Sequence, residues 1–411
     1  MPDTLDILPP PPGLFDPARH EPLAGAPWNE TEARAGIARI VSAALADYSP
    51  EGLWPPHAKD DPPKLDTRYS NLYLGAGGLV WGLRHLAALG LAPSAASFDT
   101  LVPTLLQRNR DEGEFDEGTA SLLLGDAGLL LLQWQCTPDA AVADRLFNVV
   151  QGNLRNPALE SLWGSPGTLQ AAIHMAEATG EPRWAALLEQ GVRILWHQMH
   201  FDEGLGAWLW QQDLYGKKVL YLGAGHGFAG NVYPVLRGAA LLPGDLVQEF
   251  ADRALQTFQA LALRADGCAN WHPMHDPERA RGRLPIVQDC HGAPGLVCRL
   301  AGMPRSPAWD TLLLEAGELT WRAGPLNKGP GLCHGTAGNG YALLKLWART
   351  GDALWLQRAR AFAMHALAQV DAQRNASGHA RHSLWTGDIG VALYLASCLH
   401  TTPAFPMLDV F

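Results

Sequence analysis

A Gly-x-x-Gly signature returns seven times along the chain, and an apolar stretch rich in alanine and leucine follows each copy. Successive copies start 39 to 65 residues apart, which leaves room for a second, amphipathic helix in each interval. The segment PRWAALLEQGVRILWHQM at 182–199 is an example. The first glycines of the seven copies are Gly75, Gly125, Gly164, Gly227, Gly292, Gly335 and Gly387. The repeating unit is therefore predicted to be a pair of helices.

Seven helix pairs favour an all-α fold, an α/α toroid in which about seven inner helices are surrounded by about seven outer ones. Any one copy of the signature could arise by chance among 43 glycines, but seven spaced copies with the same following helix make chance the poorer explanation. Glycine before a helix suits a tight turn and lets neighbouring backbones approach closely. Because all seven turns would lie at one end of the inner ring, functional residues are expected beside them.

The first 65 residues differ from the rest, since proline-rich stretches interrupt them at 9–12, 54–56 and 61–63. We expect residues 1–65 to form an N-terminal extension that wraps the barrel with one helix near 30–47. Residues 66–411 are expected to form the toroid.

The charge and cysteine content exclude several classes of protein. The net charge is -10 and no run of Lys and Arg occurs, so neither nucleic acid nor an anionic membrane surface is an expected partner. The chain lacks both a secretory signal pattern at its first residues and an apolar run of roughly 18 residues, which predicts a cytoplasmic protein without membrane spans. The six cysteines are not closely paired, so reduced thiols are expected. Cys136, Cys298 and Cys398 fall in apolar stretches and are interpreted as small buried hydrophobic residues.

Three copies of the signature carry a histidine or a Cys-His pair before the glycine, in AGHGFAGN, DCHGAPG and LCHGTAGN. Cys290 and Cys333 occupy equivalent positions in two copies, so the toroid would bring them together. Thiolate and imidazole ligands suit zinc, and catalytic zinc sites use three protein ligands with one open position. Cys290, Cys333 and His334 are therefore predicted to bind zinc and to activate an incoming thiol.

The segments LGAGHGFAGN, DCHGAPG and KGPGLCHGTAGNGYALL resemble the lanthionine synthetase C-like (LanC-like) family, in order and in position relative to the repeats. The resemblance covers nearly the whole chain after about residue 70. This family comprises zinc-dependent α/α toroids, including bacterial lantibiotic cyclases and eukaryotic glutathione-binding members. The resemblance implies that Cys290, Cys333 and His334 are the zinc ligands and that His226 is the acid/base histidine.

Three further residues are candidates by the same resemblance. Glu160 matches an acidic residue that partners the histidine, and Lys328 matches a lysine that contacts glutathione; for both, an exposed charge on a loop is the alternative. Lantibiotic cyclases carry Trp-Cys-Tyr-Gly where this chain has DCHG at 289–292, so the tyrosine implicated there is absent. His291 instead resembles eukaryotic-type and stand-alone members, and it is a second candidate for proton transfer.

The family chemistry implies addition of a thiol to dehydroalanine or dehydrobutyrine with formation of a thioether. We favour a small thiol such as glutathione as donor and a peptide or protein containing dehydroamino acids as acceptor. The alternatives are a lanthionine cyclase for a ribosomal peptide and a non-catalytic scaffold that binds zinc or glutathione. A sugar-processing toroid is the poorest fit, because such enzymes use paired carboxylates and few acidic residues flank the glycine turns.

Overall fold

Helices dominate the structure, a computed structural model that describes residues 11–60, 67–111, 119–276, 278 and 282–411. Those residues contain fourteen α-helices, labelled here in chain order. They are α1 (Glu30–Ala46), α2 (Ala76–Ala88), α3 (Val102–Asp111), α4 (Asp126–Cys136), α5 (Ala140–Asn153), α6 (Ser165–Thr179), α7 (Pro182–Gln198), α8 (Phe228–Arg237), α9 (Gly244–Ala260), α10 (Ala293–Leu300), α11 (Pro307–Ala323), α12 (Thr336–Thr350), α13 (Ala353–Ser377) and α14 (Asp388–His400).

The even-numbered helices form an inner ring. Each begins directly after the first glycine of one signature, so all seven predicted helix starts are confirmed. Each inner helix contacts the next, and α14 returns to contact α2, which closes the ring. The odd-numbered helices pack around the outside, and apolar side chains such as the buried Trp184 of α7 and Phe362 of α13 fill the space between the rings. The predicted α/α toroid is confirmed.

The second glycine of each signature is required by close backbone packing. A Cβ atom there would lie between 1.7 Å (Gly295, against Asp289) and 2.4 Å (Gly230, against Ala224) from the carbonyl oxygen of the residue six positions earlier. No side chain tolerates such a distance. Each turn is therefore folded tightly against the helix that follows it, which fixes the direction of its side chains.

Helix α1 completes the outer ring although it precedes the first helix pair in sequence. The Asn29 side chain caps it by accepting a hydrogen bond from the Glu32 backbone N–H (3.1 Å). Its apolar face, which includes the fully buried Ile37, packs mainly on α14, the last inner helix. The expected boundary between residues 65 and 66 and the first ten residues lie outside the described residues, so the division of the chain into an extension and a toroid stays a prediction.

The described part of the chain also contains three short antiparallel hairpins. They are β1 (His200–Asp202) with β2 (Ala207–Leu209), β3 (Gln212–Leu214) with β4 (Lys217–Val219), and β5 (Leu263–Ala265) with β6 (Cys268–Asn270). The first two lie between α7 and α8, and the third lies between α9 and α10. Among the described residues, no helix has the length and apolar character needed to cross a bilayer.

Candidate active site

The residue two positions before the first glycine of each signature faces a common cavity of ≈ 230 Å³. All seven equivalent residues line it, although they are spread over more than three hundred positions of sequence. They are Tyr73, Leu123, Leu162, Gly225, Cys290, Cys333 and Trp385. Tyr73 and Trp385 were not predicted from the sequence, although their equivalence to Cys290 and Cys333 within the repeat is a signal that identifies them.

Backbone hydrogen bonds link these equivalent residues from one turn to the next. The N–H of Gly225 donates to the carbonyl oxygen of Cys290 (2.9 Å), and the N–H of Cys290 donates to that of Cys333 (3.1 Å). The same pattern continues from Cys333 to Trp385 (2.9 Å), from Trp385 to Tyr73 (3.2 Å) and from Tyr73 to Leu123 (3.0 Å). The Ser121 hydroxyl extends the chain by donating to the carbonyl oxygen of Leu162 (2.5 Å). The bonds thus run around most of the inner ring.

A side-chain pair bridges the remaining gap, between the turns that contain Leu162 and Gly225. Nδ1 of His226 lies 2.5 Å from Oε2 of the fully buried Glu160. The Glu160 carboxylate also accepts hydrogen bonds from the backbone N–H groups of Leu162 (3.0 Å) and Trp163. Because a carboxylate accepts, Nδ1 of the ring donates to it, and Nε2 is left as the nitrogen available to a substrate.

The asparagine that follows the glycines in AGHGFAGN holds this pair in place. Its side-chain amide, Asn231 Nδ2, donates to the carbonyl oxygen of Leu159 (2.8 Å), directly before Glu160. Asn339 occupies the equivalent position in LCHGTAGN, and its amide donates to the carbonyl oxygen of Val287 (3.0 Å), near Cys290. Each asparagine therefore ties one turn to the turn before it, a positioning role that sequence analysis did not assign.

Cys290, Cys333 and His334 form the cluster that could hold a metal ion among the described residues, with their ligand atoms all within 4.8 Å of one another. The two thiols interact strongly. A hydrogen bond with Cys290 lowers the pKa of the Cys333 thiol well below its usual value, while the same bond and burial raise the pKa of Cys290. The Gln288 amide donates to Cys290 Sγ (3.0 Å). Without a cation, the pair therefore favours a single thiolate.

His291 lies outside this cluster. Its ring stacks on Tyr221 (centroids 5.5 Å apart) and approaches His226 (5.7 Å). Burial, reinforced by the neighbouring His226, lowers the pKa of His291 to about 3. Its Nδ1 is buried and lacks a hydrogen-bond partner among the described residues.

A buried ion pair lies beside the cysteines. Arg299 Nη2 is 2.9 Å from Asp289 Oδ2, and both side chains are almost fully buried yet border the cavity. Burial raises the pKa of Asp289 to about 6 against the opposing effect of Arg299. Asp289 occupies the position where lantibiotic cyclases have tryptophan, and its partner explains why a carboxylate is tolerated there. In the turns next to that of Cys333, the Tyr73 ring stacks on Trp385 (5.7 Å, 13°).

The rim of the site carries a hairpin that sequence analysis did not anticipate. Tyr215, in the turn between β3 and β4, is 67% exposed even though its hydroxyl accepts a hydrogen bond from Trp163 Nε1 (3.1 Å). Its ring lies 6.1 Å from that of His226. Lys328, the candidate for glutathione binding, is exposed and does not line the cavity.

The model of the lanthionine synthetase C-like protein family matches residues 63–410. The chain belongs to this LanC-like family. It is 28% identical over 347 residues to glutathione S-transferase LANCL1 of Danio rerio, which covers 75% of this chain and 80% of that protein. A shorter match, 40% over 84 residues, joins it to LanC-like protein GCL1 of Arabidopsis thaliana and covers 20% of this chain and 19% of that one.

A solved LanC-like structure, that of nisin cyclase, has the same fold. The two superpose with a TM-score of 0.61 at 13% sequence identity, over 92% of this chain and 99% of the other. The family resemblance inferred from the three glycine-turn segments is confirmed by the family model, which matches residues 63–410.

Proposed function

We propose that this protein is a zinc-dependent enzyme that adds a thiol, such as glutathione or a cysteine side chain, to dehydroalanine or dehydrobutyrine residues. The observation that carries the proposal is that the Cys290, Cys333 and His334 cluster and His226 border one cavity. The cluster of two cysteines and His334 is suited to activating sulfur, and His226 is suited to transferring a proton. A thioether is the product.

The donor set of the cluster fits zinc. Two sulfurs and one imidazole nitrogen are a common zinc ligand set, and three protein ligands are typical of a catalytic site. The opposed pKa shifts of Cys290 and Cys333 mean that a second thiolate is unfavourable beside the first, and a divalent cation would offset that charge. When bound, zinc would lower the pKa of an incoming thiol and hold its sulfur at the cavity wall.

His226 is proposed to carry the proton. Its Nε2 accepts the proton of the thiol and returns it to the α-carbon of the acceptor. The sulfur–Cβ bond forms, the Cα–Cβ double bond becomes single, and the proton lost by sulfur ends on Cα, so the reaction is balanced. Glu160 acts as a positioning residue, because its carboxylate fixes the ring through Nδ1.

His291 is the rival for this role. Its buried Nδ1 has no hydrogen-bond partner among the described residues, whereas Nδ1 of His226 donates to the buried Glu160. We therefore propose that His291 shapes the cavity wall between His226 and Cys290. Lys328 is proposed to meet a carboxylate of the thiol donor from outside the cavity, since its side chain is exposed.

Glutathione is the favoured donor because a relative that matches three quarters of the chain is named a glutathione S-transferase. The family name equally describes a lanthionine synthetase, so intramolecular cyclisation of a peptide is the second candidate. A non-catalytic zinc or glutathione scaffold is the third. A scaffold does not require a histidine that is oriented by a buried carboxylate, so the pair of His226 and Glu160 favours an enzyme.

The test is to incubate the zinc-loaded protein with glutathione and a dehydroalanine peptide and to follow the adduct by mass spectrometry. We expect adduct with the unaltered protein, none with Cys333→Ala, and normal amounts with Cys398→Ala, a buried cysteine of α14. A cysteine-containing dehydropeptide without added thiol tests cyclisation in parallel. If neither reaction gives a product, the proposal of an enzyme is contradicted and the non-catalytic scaffold remains.

A further inference from the structure

Residues 405–411, named here the plug, lie inside the bore of the inner ring. The Phe405 ring packs on Tyr341 of α12 (centroids 4.8 Å apart), and the Phe411 ring packs near His174 of α6 (5.6 Å). Helices α6 and α12 belong to different sides of the ring, being its third and sixth members. A seven-residue segment that contacts both must cross the space between them.

Asp409 anchors the plug to two inner helices. Its carboxylate accepts hydrogen bonds from the hydroxyl of Tyr233 on α8 (2.6 Å), from Lys345 Nζ on α12 (2.5 Å) and from the N–H of Phe405 (2.5 Å). Arg237 of α8 donates to its carbonyl oxygen (3.0 Å). Burial would by itself raise the pKa of Asp409, but Lys345 and the other donors lower it overall. The bond from the Phe405 N–H to the Asp409 carboxylate closes residues 405–409 into a compact loop.

Leu408 forms part of the cavity wall from inside this loop. It lines the same cavity as Cys290, Cys333 and His226, so the plug provides a floor opposite the glycine turns. Val410, two residues further on, lines a separate cavity of ≈ 290 Å³ with His174. The plug therefore divides the bore into two spaces, and the active-site cavity is closed at its inner end.

The size of this cavity limits what can react in it. Pockets for drug-sized ligands hold roughly 300–1,000 Å³, whereas this cavity holds ≈ 230 Å³. Only the reacting ends of the thiol and the acceptor fit, while the remainder of each substrate stays outside. Where added bulk on the reacting carbon meets an apolar wall residue such as Leu408, one methylene changes the specificity of an enzyme by about 10–200-fold.

We propose that Leu408 is a specificity-determining residue that sets the size of the substituent which the acceptor carries on its β-carbon. The inference rests on the proposed function. It makes dehydroalanine the preferred acceptor, dehydrobutyrine with its added methyl a poorer one, and a β-ethyl dehydroamino acid poorer again. Leu408 exerts this effect through the depth of the floor and takes no part in proton transfer or metal binding.

The experiment measures kcat/KM for glutathione addition to three peptides that differ in the β-substituent: hydrogen, methyl or ethyl. Leu408→Ala should raise the ratio of the ethyl to the hydrogen acceptor by about tenfold, and Leu408→Phe should lower it by a similar factor. Val410→Ala is the matched control, since it truncates the plug on its other side, and it should leave the ratio within about twofold. Zinc content and thermal unfolding are recorded for each variant.

Opposite shifts from the two Leu408 variants would support the inference, because general loss of stability cannot move the ratio in both directions. If Leu408→Ala does not fold, Leu408→Phe decides alone. Ratios that change no more than in Val410→Ala, in an active enzyme, overturn the role of Leu408 and leave the proposed function standing. If the unaltered protein forms no adduct with any peptide, the proposed function fails and the inference fails with it.

Discussion

Two turns of this toroid carry the same tripeptide, Cys-His-Gly, yet their histidines lie in different surroundings. In the turn before α12, His334 joins the two cysteines in the potential metal cluster. In the turn before α10, His291 instead stacks on Tyr221 and faces His226. Both cysteines nevertheless face the cavity from equivalent positions. The repeated tripeptide therefore gives the two cysteines equivalent positions, but it does not give the two histidines the same neighbours.

The backbone explains the difference. The glycine after His291 has a φ of +111°, in the region that disfavours other residues, whereas the glycine after His334 is extended at −139°. Gly227, after His226, resembles the first of these with a φ of +122°. His226 and His291 thus share one kind of turn and lie together, while His334 belongs to the other kind. The φ of the glycine that follows therefore distinguishes the turn of His334 from the turns of His226 and His291.

The largest expected effect concerns the metal. His334→Ala should weaken zinc binding more than the 10–100-fold typical of changing a residue behind a metal ligand, because it removes a ligand itself. His291→Ala, the matched change in the other turn, should leave zinc affinity near normal. Competition with a chelator measures both. Equal loss in the two variants would mean that the turns are equivalent after all.

A smaller effect separates the two histidines that share a turn type. His226→Ala should keep its zinc and fold but slow thiol addition by about a hundredfold, the scale for losing an acid/base group. His291→Ala should slow it less, and Glu160→Gln should fall between the two because only the orientation of His226 is affected. Steady-state rates at saturating zinc measure this. The reverse order for His226 and His291 would assign proton transfer to His291.

At the far end of the bore, His174 is expected to make the stability of the protein depend on pH. Burial lowers the pKa of His174 from 6.5 to about 4. As pH falls, the unfolded chain binds a proton at this residue before the folded protein does, so stability is lost between those two values. His174→Gln should therefore reduce the loss of unfolding free energy between pH 7 and pH 5 by about 2 kcal/mol. Denaturant titrations of the zinc-free protein check this, and an unchanged loss would contradict it.

The smallest effect is expected at Lys328. Exposed ion pairs contribute about 0.2–1 kcal/mol, so Lys328→Ala should raise KM for glutathione by no more than about fivefold without changing kcat. An uncharged thiol serves as control, since its KM should not respond. A larger change, or an equal change with the uncharged thiol, would show that Lys328 acts on the cavity itself.

Much of the fold could be predicted because the glycine signatures are a local requirement of close packing. A helix near 30–47 was expected, but its place as the seventh outer helix could not be predicted, since α1 packs on α14, more than three hundred residues away, and carries no repeat signature. Within the site, the sequence predicted that Cys290 and Cys333 would come together. It assigned His334 and not His291 to the metal cluster, but it gave no structural reason for the difference, because both residues are followed by glycine and only the φ angles of those glycines differ. Tyr73 and Trp385 were missed because their chemistry is ordinary and only their position in the repeat is informative.

The chain of backbone bonds from Gly225 to Leu123 bears on how the site is assembled. In small zinc domains the metal creates the structure, and the chain unfolds when the metal is removed. Here the bond from the Cys290 amide to the Cys333 carbonyl oxygen holds the backbones of the two cysteines side by side through the main chain. The candidate ligands are thus preorganised, and little ordering entropy would remain to oppose metal binding. We therefore expect a metal ion to bind and leave without unfolding of the inner ring. The amide hydrogens of Cys290 and Cys333 should still exchange slowly with solvent after the metal has been removed by a chelator.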